Sequence, residues 1–145
     1  MPAKLLVGLD GTEAGQRAVD FAKRLSELIG DCEIVLLYVI EWSPYTFQTA
    51  EENAQRHKRR EEEIATAKAR VVDPAVSGLT GSGVACRGFV RHGDVADLLN
   101  SVAEDEGAEQ IVVARASAGG IAARVFGSST ANLVMSSKIP VTVVA

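Results

Sequence analysis

The chain has 145 residues, 47% of them apolar and 23% charged, with a formal net charge of −4. That is the size and composition of one globular domain with a real core. The negative balance excludes a nonspecific nucleic-acid binder, which needs a basic footprint. No apolar stretch reaches the roughly 20 residues of a membrane span. The first residues lack the architecture of a signal peptide, because their apolar run is short and ends in a charged turn. Cys32 and Cys86 are isolated singles with neither disulfide nor metal spacing, so they point to reduced thiols and the cytoplasm.

Five short apolar runs read as strands: residues 4–9, 33–40, 84–90, 110–114 and 140–144. The runs Ile34-Val35-Leu36-Leu37 and Ile111-Val112-Val113 are continuous rather than alternating. Continuous apolar strands are covered on both faces, as in parallel α/β sheets.

Helical patterns separate the strands. Thr12 suits an N-cap, Glu13 complements the helix dipole, and Gly30 is placed to stop the helix. Ala18, Phe21, Ala22, Leu25, Leu28 and Ile29 mark the expected inward face. Asp94 begins a second helix, with Val95, Leu98, Leu99 and Val102 inward and Gly107 beyond its end. A third is expected over about residues 128–137, with Ala131, Val134 and Met135 inward and Pro140 past its end.

Residues 51–70 are densely charged in both signs, with Arg59 spaced to pair with Glu62 or Glu63. They read as an exposed helix with a thin stripe of Ala50, Ala54, Ile64 and Ala67. The Trp42-Ser43-Pro44-Tyr45 segment reads as a loop, and residues 76–83 as a Gly/Ser-rich connection. With no internal repeat or boundary, residues 1–145 form a single domain. Alternating strands and helices predict an α/β, doubly wound parallel sheet, which binds ligands beyond the carboxyl ends of its strands where strand order reverses.

Two segments carry candidate chemistry. Gly8-Leu9-Asp10-Gly11-Thr12 closes the first strand. Asp10 there serves either to accept hydrogen bonds from a ligand's hydroxyls or to cap the turn. The stretch from Ala114 through Arg115, Ser117 and Gly119-Gly120 to Gly127-Ser128-Ser129 follows the fourth strand. Small residues and a helix N-terminus make a phosphate cradle, or a helix start that binds only water. Arg115 and Arg124 are nearby cations. GxxxxGK[ST], GxGxxG and GxSxG are all missing. His57 and His92 read as solvated surface residues, and no catalytic residue is assigned. Tyr38, Trp42 and Tyr45 either flank a base or pack locally.

Taken in order, these residues resemble the universal stress protein family over essentially the whole chain. The resemblance rests on residues 5–12, on residues 34–40, on Gly93-Asp94, Gly119-Gly120 and Phe126-Gly127-Ser128, and on the closing residues 139–144. It implies a five-stranded Rossmann-like sheet of order 3-2-1-4-5, with Asp10 and Ala114 facing each other across the switch-point crevice. It also implies a homodimer paired through Val141, Thr142, Val143 and Val144. The nucleotide-binding branch carries G-x2-G-x9-G-[ST], and this chain has Ala114-x2-Ser117-x9-Gly127-Ser128. In that alignment Val39 and Val113 flank adenine and Asp10 meets the ribose. Ser117, Gly127, Ser128 and Ser129 meet the phosphates of ATP or AMP, with Mg as the accompanying ion. The Ala114 methyl is expected to crowd the ligand. The implied function is a dimeric regulatory or stress-response module with an unknown protein partner and at most a weak ATPase. The alternative is a nucleotide-free interaction dimer of the branch that lacks the glycine motif.

Overall fold

The computed structural model describes residues 2–41, 50–115 and 121–145, without the side chains of residues 50–53 and 121–128. The order is β1 (Ala3–Leu9), α1 (Glu13–Ile29), β2 (Cys32–Glu41), α2 (Ala50–Ala67), a π-turn (Lys68–Val72) and α3 (Asp73–Gly81). β3 (Ala85–Gly93), α4 (Val95–Glu106), β4 (Gln110–Ala114), α5 (Ile121–Ser136) and β5 (Val141–Val144) complete it. All strand pairs are parallel and the sheet order is β3-β2-β1-β4-β5. This is the expected doubly wound α/β sheet, with its switch point between β1 and β4.

Alternate residues of each strand serve the two faces. Val7, Leu9, Ile34, Leu36, Val112 and Ala114 pack with Ala14, Ala18, Val19 and Ala22 of α1 and Leu79 of α3. Leu6, Val35, Leu37, Ile111 and Val113 pack with Ala96, Leu99 and Ala103 of α4 and Leu133 of α5. The continuous apolar runs thus fill two cores.

Helix ends follow the sequence signals where a cap is present. Thr12 caps α1, accepting from the Gly15 N–H at 3.4 Å, and the Asp94 carboxylate accepts from the Asp97 N–H at 3.1 Å. Gly107 ends α4 in the left-handed conformation.

Several expectations are corrected. The buried face of α1 is Ala14, Gly15, Ala18, Val19, Ala22 and Ser26, while Leu28 is 72% exposed and Phe21 and Ile29 also face outward. Small residues let α1 lie close to the sheet, so its larger apolar side chains are displaced to the flank. On α5 it is Leu133 that is buried; Val134 and Met135 are exposed, Met135 at 86%. On α2, Ile64 and Ala67 are half-buried but Ala54 is exposed.

Most of the expected connection at residues 76–83 is helix. Pro74 in the first turn fixes a helical φ, and buried Leu79 anchors α3 to the core. Gly88 explains how closely this region docks. A Cβ there would lie 2.3 Å from Val72 Cγ1, so only glycine lets the π-turn seat fully buried Val72 on β3. β3 also runs on through His92, whose side chain is 10% exposed with Nε2 3.7 Å from Glu63 of α2. It is a packed residue, not a solvated one.

Candidate site at the sheet switch point

Beyond the carboxyl ends of β1, β2 and β4, on the α4/α5 face, lies a narrow slot. Gly8 and Asp10 form one side, Val39 and Leu37 the second, and Val113 the third. Val95 and Leu99 of α4 and Ser129 and Thr130 of α5 close it. The slot therefore gathers Asp10, Val39, Val113 and Ser129 from four separate segments. Its volume is about 30 Å³, room for about one water molecule.

Gly8 matters by having no side chain. A Cβ there would meet Val113 Cγ1 at 3.2 Å and Leu99 Cδ2 at 3.4 Å, so any larger residue would fill the slot. Gly15 plays a similar part behind Asp10, because its Cβ would meet Asp10 Oδ1 at 2.8 Å. Close approach of the α1 N-terminus to Asp10 requires glycine at that point. The Thr12 N–H donates to Asp10 Oδ1 at 3.0 Å, and the Thr12 hydroxyl donates to the same oxygen at 2.5 Å. Asp10 thus does cap its turn, and among the described residues both contacts fall on Oδ1. One carboxylate can hold the turn with one oxygen and offer the other to a hydroxyl donor.

Ala114 is placed differently from the expectation. Its backbone ends β4 at the switch point, but its side chain is fully buried in the α1-side core. Strand alternation sends the methyl to the face opposite the slot, where Val113 projects instead. The Ala114 methyl does not crowd the slot. Tyr38 also lies on the α1 side, so it does not flank the slot beside Val39.

The helix after β4 begins at Ile121, several residues before Gly127-Ser128. Those two residues therefore sit inside α5 rather than opening it, and an interior N–H is spent within the helix. The sequence does not announce this helix start, because small residues precede it and no Ser, Thr, Asp or Asn immediately precedes Ile121. Ser117 and Gly119-Gly120 lie outside the described residues, as do Trp42 and Tyr45. The side chains of Arg124 and Ser128 are outside them too. The Arg115 carbonyl accepts from Arg17 Nη2 at 2.8 Å and its N–H donates to Val144 O at 2.7 Å, tying the end of β4 to α1 and β5.

At the other end of the strands the chemistry is structural. Arg87 makes a two-pronged pair with Glu106, and its Nε donates to Glu33 at 2.9 Å. Hydrogen bonds from Arg87 hold the Glu106 carboxyl below the usual range. Burial, reinforced by Glu33, pushes the Cys86 thiol up to about 11, which makes it a poor nucleophile at neutral pH. Among the described residues no three His, Cys, Asp or Glu side chains gather as a metal site, and no helix is long and apolar enough to cross a membrane.

Among curated proteins, none matches the chain. Solved structures do. UspA, a universal stress protein from Lactobacillus plantarum, superposes with TM-score 0.81 at 19% identity, covering 99% of this chain and 97% of that one. A universal stress protein in complex with cAMP matches at TM-score 0.65 and 22% identity, covering 99% and 96%. A family protein from Arabidopsis thaliana, with AMP bound, matches at 0.64 and 17%, covering 99% and 91%. Identities this low establish the shared fold alone. The profile of the Universal stress protein family matches residues 1–145, and the chain belongs to that family.

Proposed function

We propose that this chain is a cytoplasmic stress-response regulator that binds an adenine nucleotide, AMP or ATP, at the switch-point slot. The observation that carries this reading is the convergence of Asp10, Val39, Val113 and Ser129 on one slot around side-chain-free Gly8. Two apolar walls suit a purine, and a carboxylate and a hydroxyl suit a ribose and a phosphate. Structures of relatives with cAMP and AMP bound support the ligand class. Ser117, Gly127 and Ser128 remain the phosphate contacts implied by the family motif, and Mg would arrive with ATP.

The donor set fits a nucleoside, but the room does not. Small-molecule sites usually span about 300–1,000 Å³, far above this slot. A nucleotide therefore needs more room than the slot offers among the described residues, and any rearrangement that supplies it lowers affinity. The same volume favours a second reading, a nucleotide-free interaction dimer. In both readings β5 is the pairing edge, since an edge strand with Val143 41% exposed invites a second copy. Sedimentation at micromolar concentration should show a dimer, and a monomer there would remove the β5 pairing.

Calorimetric titration separates the two. The nucleotide reading predicts saturable AMP binding that Asp10→Ala weakens about tenfold or more, the scale of a lost hydrogen bond to a charged group. The nucleotide-free reading predicts no binding heat from wild type or from a variant with an enlarged slot.

A further inference from the structure

The α1 side of the sheet holds a much larger opening than the slot. A trough of about 620 Å³ runs between α1 and the helix formed by the π-turn and α3. This is within the usual range of a small-molecule site. Along α1 it extends from Thr12 to Lys23, twelve residues and so about 16 Å end to end. Its floor is apolar, made by Leu9, Val19 and Leu79, all buried, with Val71 beside them. The α3 wall is open at Gly78, where a Cβ would meet no atom within 4 Å.

The polar rim carries two carboxylates, Glu13 and Asp20, and two cations, Arg70 and Lys23, so its formal charges balance. Glu13 faces Arg17 at 3.8 Å, and the Asp20 carboxylate accepts from Gln16 Nε2 at 2.9 Å. Arg70 and Lys23 also line the trough, from opposite walls. Among the described residues neither guanidinium nor ammonium is held by a carboxylate. The π-turn carries Arg70 next to Val71, which lies against Gly11 (a Cβ there would be 3.2 Å from Val71 Cγ2). Arg70 therefore stands at the end of the trough where α1 begins, and the planar guanidinium suits a carboxylate or phosphate.

We propose that this trough is a binding site for an elongated apolar molecule with one anionic end, the anion on Arg70 and the apolar body lying over Val19 and Leu79 towards Lys23. It lies on the other side of β1 from the slot, so a molecule in it would not fill the space of a nucleotide.

Decanoate, below its micelle-forming concentration, is a suitable probe for the full chain, with decanol and decyltrimethylammonium as neutral and cationic counterparts. Decanoate should raise the melting temperature and shift amide resonances of α1 and α3 in a saturable way. Arg70→Glu should weaken it by about tenfold or more, the scale of a charge-assisted hydrogen bond. Gly78→Phe, on an open wall, should block the trough while the protein stays folded. Equal binding of all three probes would overturn the proposal. So would decanoate binding unchanged in the folded Arg70→Glu or Gly78→Phe variants, or no response of folded wild type at millimolar decanoate.

Discussion

On the α4/α5 face, Leu37, Val39, Leu99 and Val113 carry branched side chains up to the carboxyl ends of the strands, and the space left holds about one water. On the α1/α3 face, Ala14, Gly15, Ala18 and Ala75 set helices close to the sheet but leave a long trough between them. Both faces have sealed cores beneath these openings. The difference shows that in this fold the room available to a ligand depends on side-chain size at the strand ends and helix flanks, not on topology alone.

The comparison can be broken most forcefully at Gly88. Gly88→Val places new atoms against buried Val72, a stiff side chain under the π-turn. It should destabilise the protein by about 3 kcal/mol or more, read by chemical denaturation. Little change would mean that the π-turn does not depend on this close approach. Leu99→Ala removes one apolar wall of the slot, at a residue only 2% exposed. It should cost roughly 2–3 kcal/mol of stability. If slot volume limits binding, the variant should also bind AMP more tightly than wild type once compared well below its melting temperature. An unchanged or lower affinity would say that Leu99 is not the barrier.

Ala114→Gly acts on the other side of β4. It should cost about 1 kcal/mol, because a strand interior loses a buried methyl, and it should leave AMP affinity unaltered. A gain in affinity would contradict the placement of that methyl in the α1 core. The smallest effect is expected at the Arg87–Glu106 clasp, which is partly exposed and therefore screened. Glu106→Gln should cost about 0.5 kcal/mol at neutral pH. Its carboxyl is held below the usual range in the folded state. The contribution is therefore present above the unfolded carboxylate value and lost as pH falls through the folded one. Acid unfolding curves of wild type and Glu106→Gln should converge at low pH; a constant offset would assign the effect elsewhere.

Strand positions were legible because buried parallel strands leave unbroken apolar runs, and β4 at Gln110–Ala114 falls where its run predicts. Helix starts were legible where a side chain caps them, at Thr12 and Asp94. Helix faces were less so. Size is a poor guide to inwardness on α1, where close packing selects Ala18 and Ala22 and turns Phe21 and Leu28 outward. Helix α3 was hidden by Gly78 and Ser82, whose local preference is for turns but which the packing of Leu79 overrides. The family resemblance, not the motif spacing, implied a switch point between the first and fourth strands, where the sheet order puts it. The spacing carried no information about which way the Ala114 side chain points, a matter of strand parity. Nor could spacing show how far Leu99, on a different element, intrudes.

The most direct test of the nucleotide site is an AMP titration of the wild-type protein by calorimetry, with Asp10→Ala measured alongside. A single saturable transition that weakens about tenfold or more in the variant is the predicted result. Folded wild-type protein that gives no binding heat at millimolar AMP would contradict it.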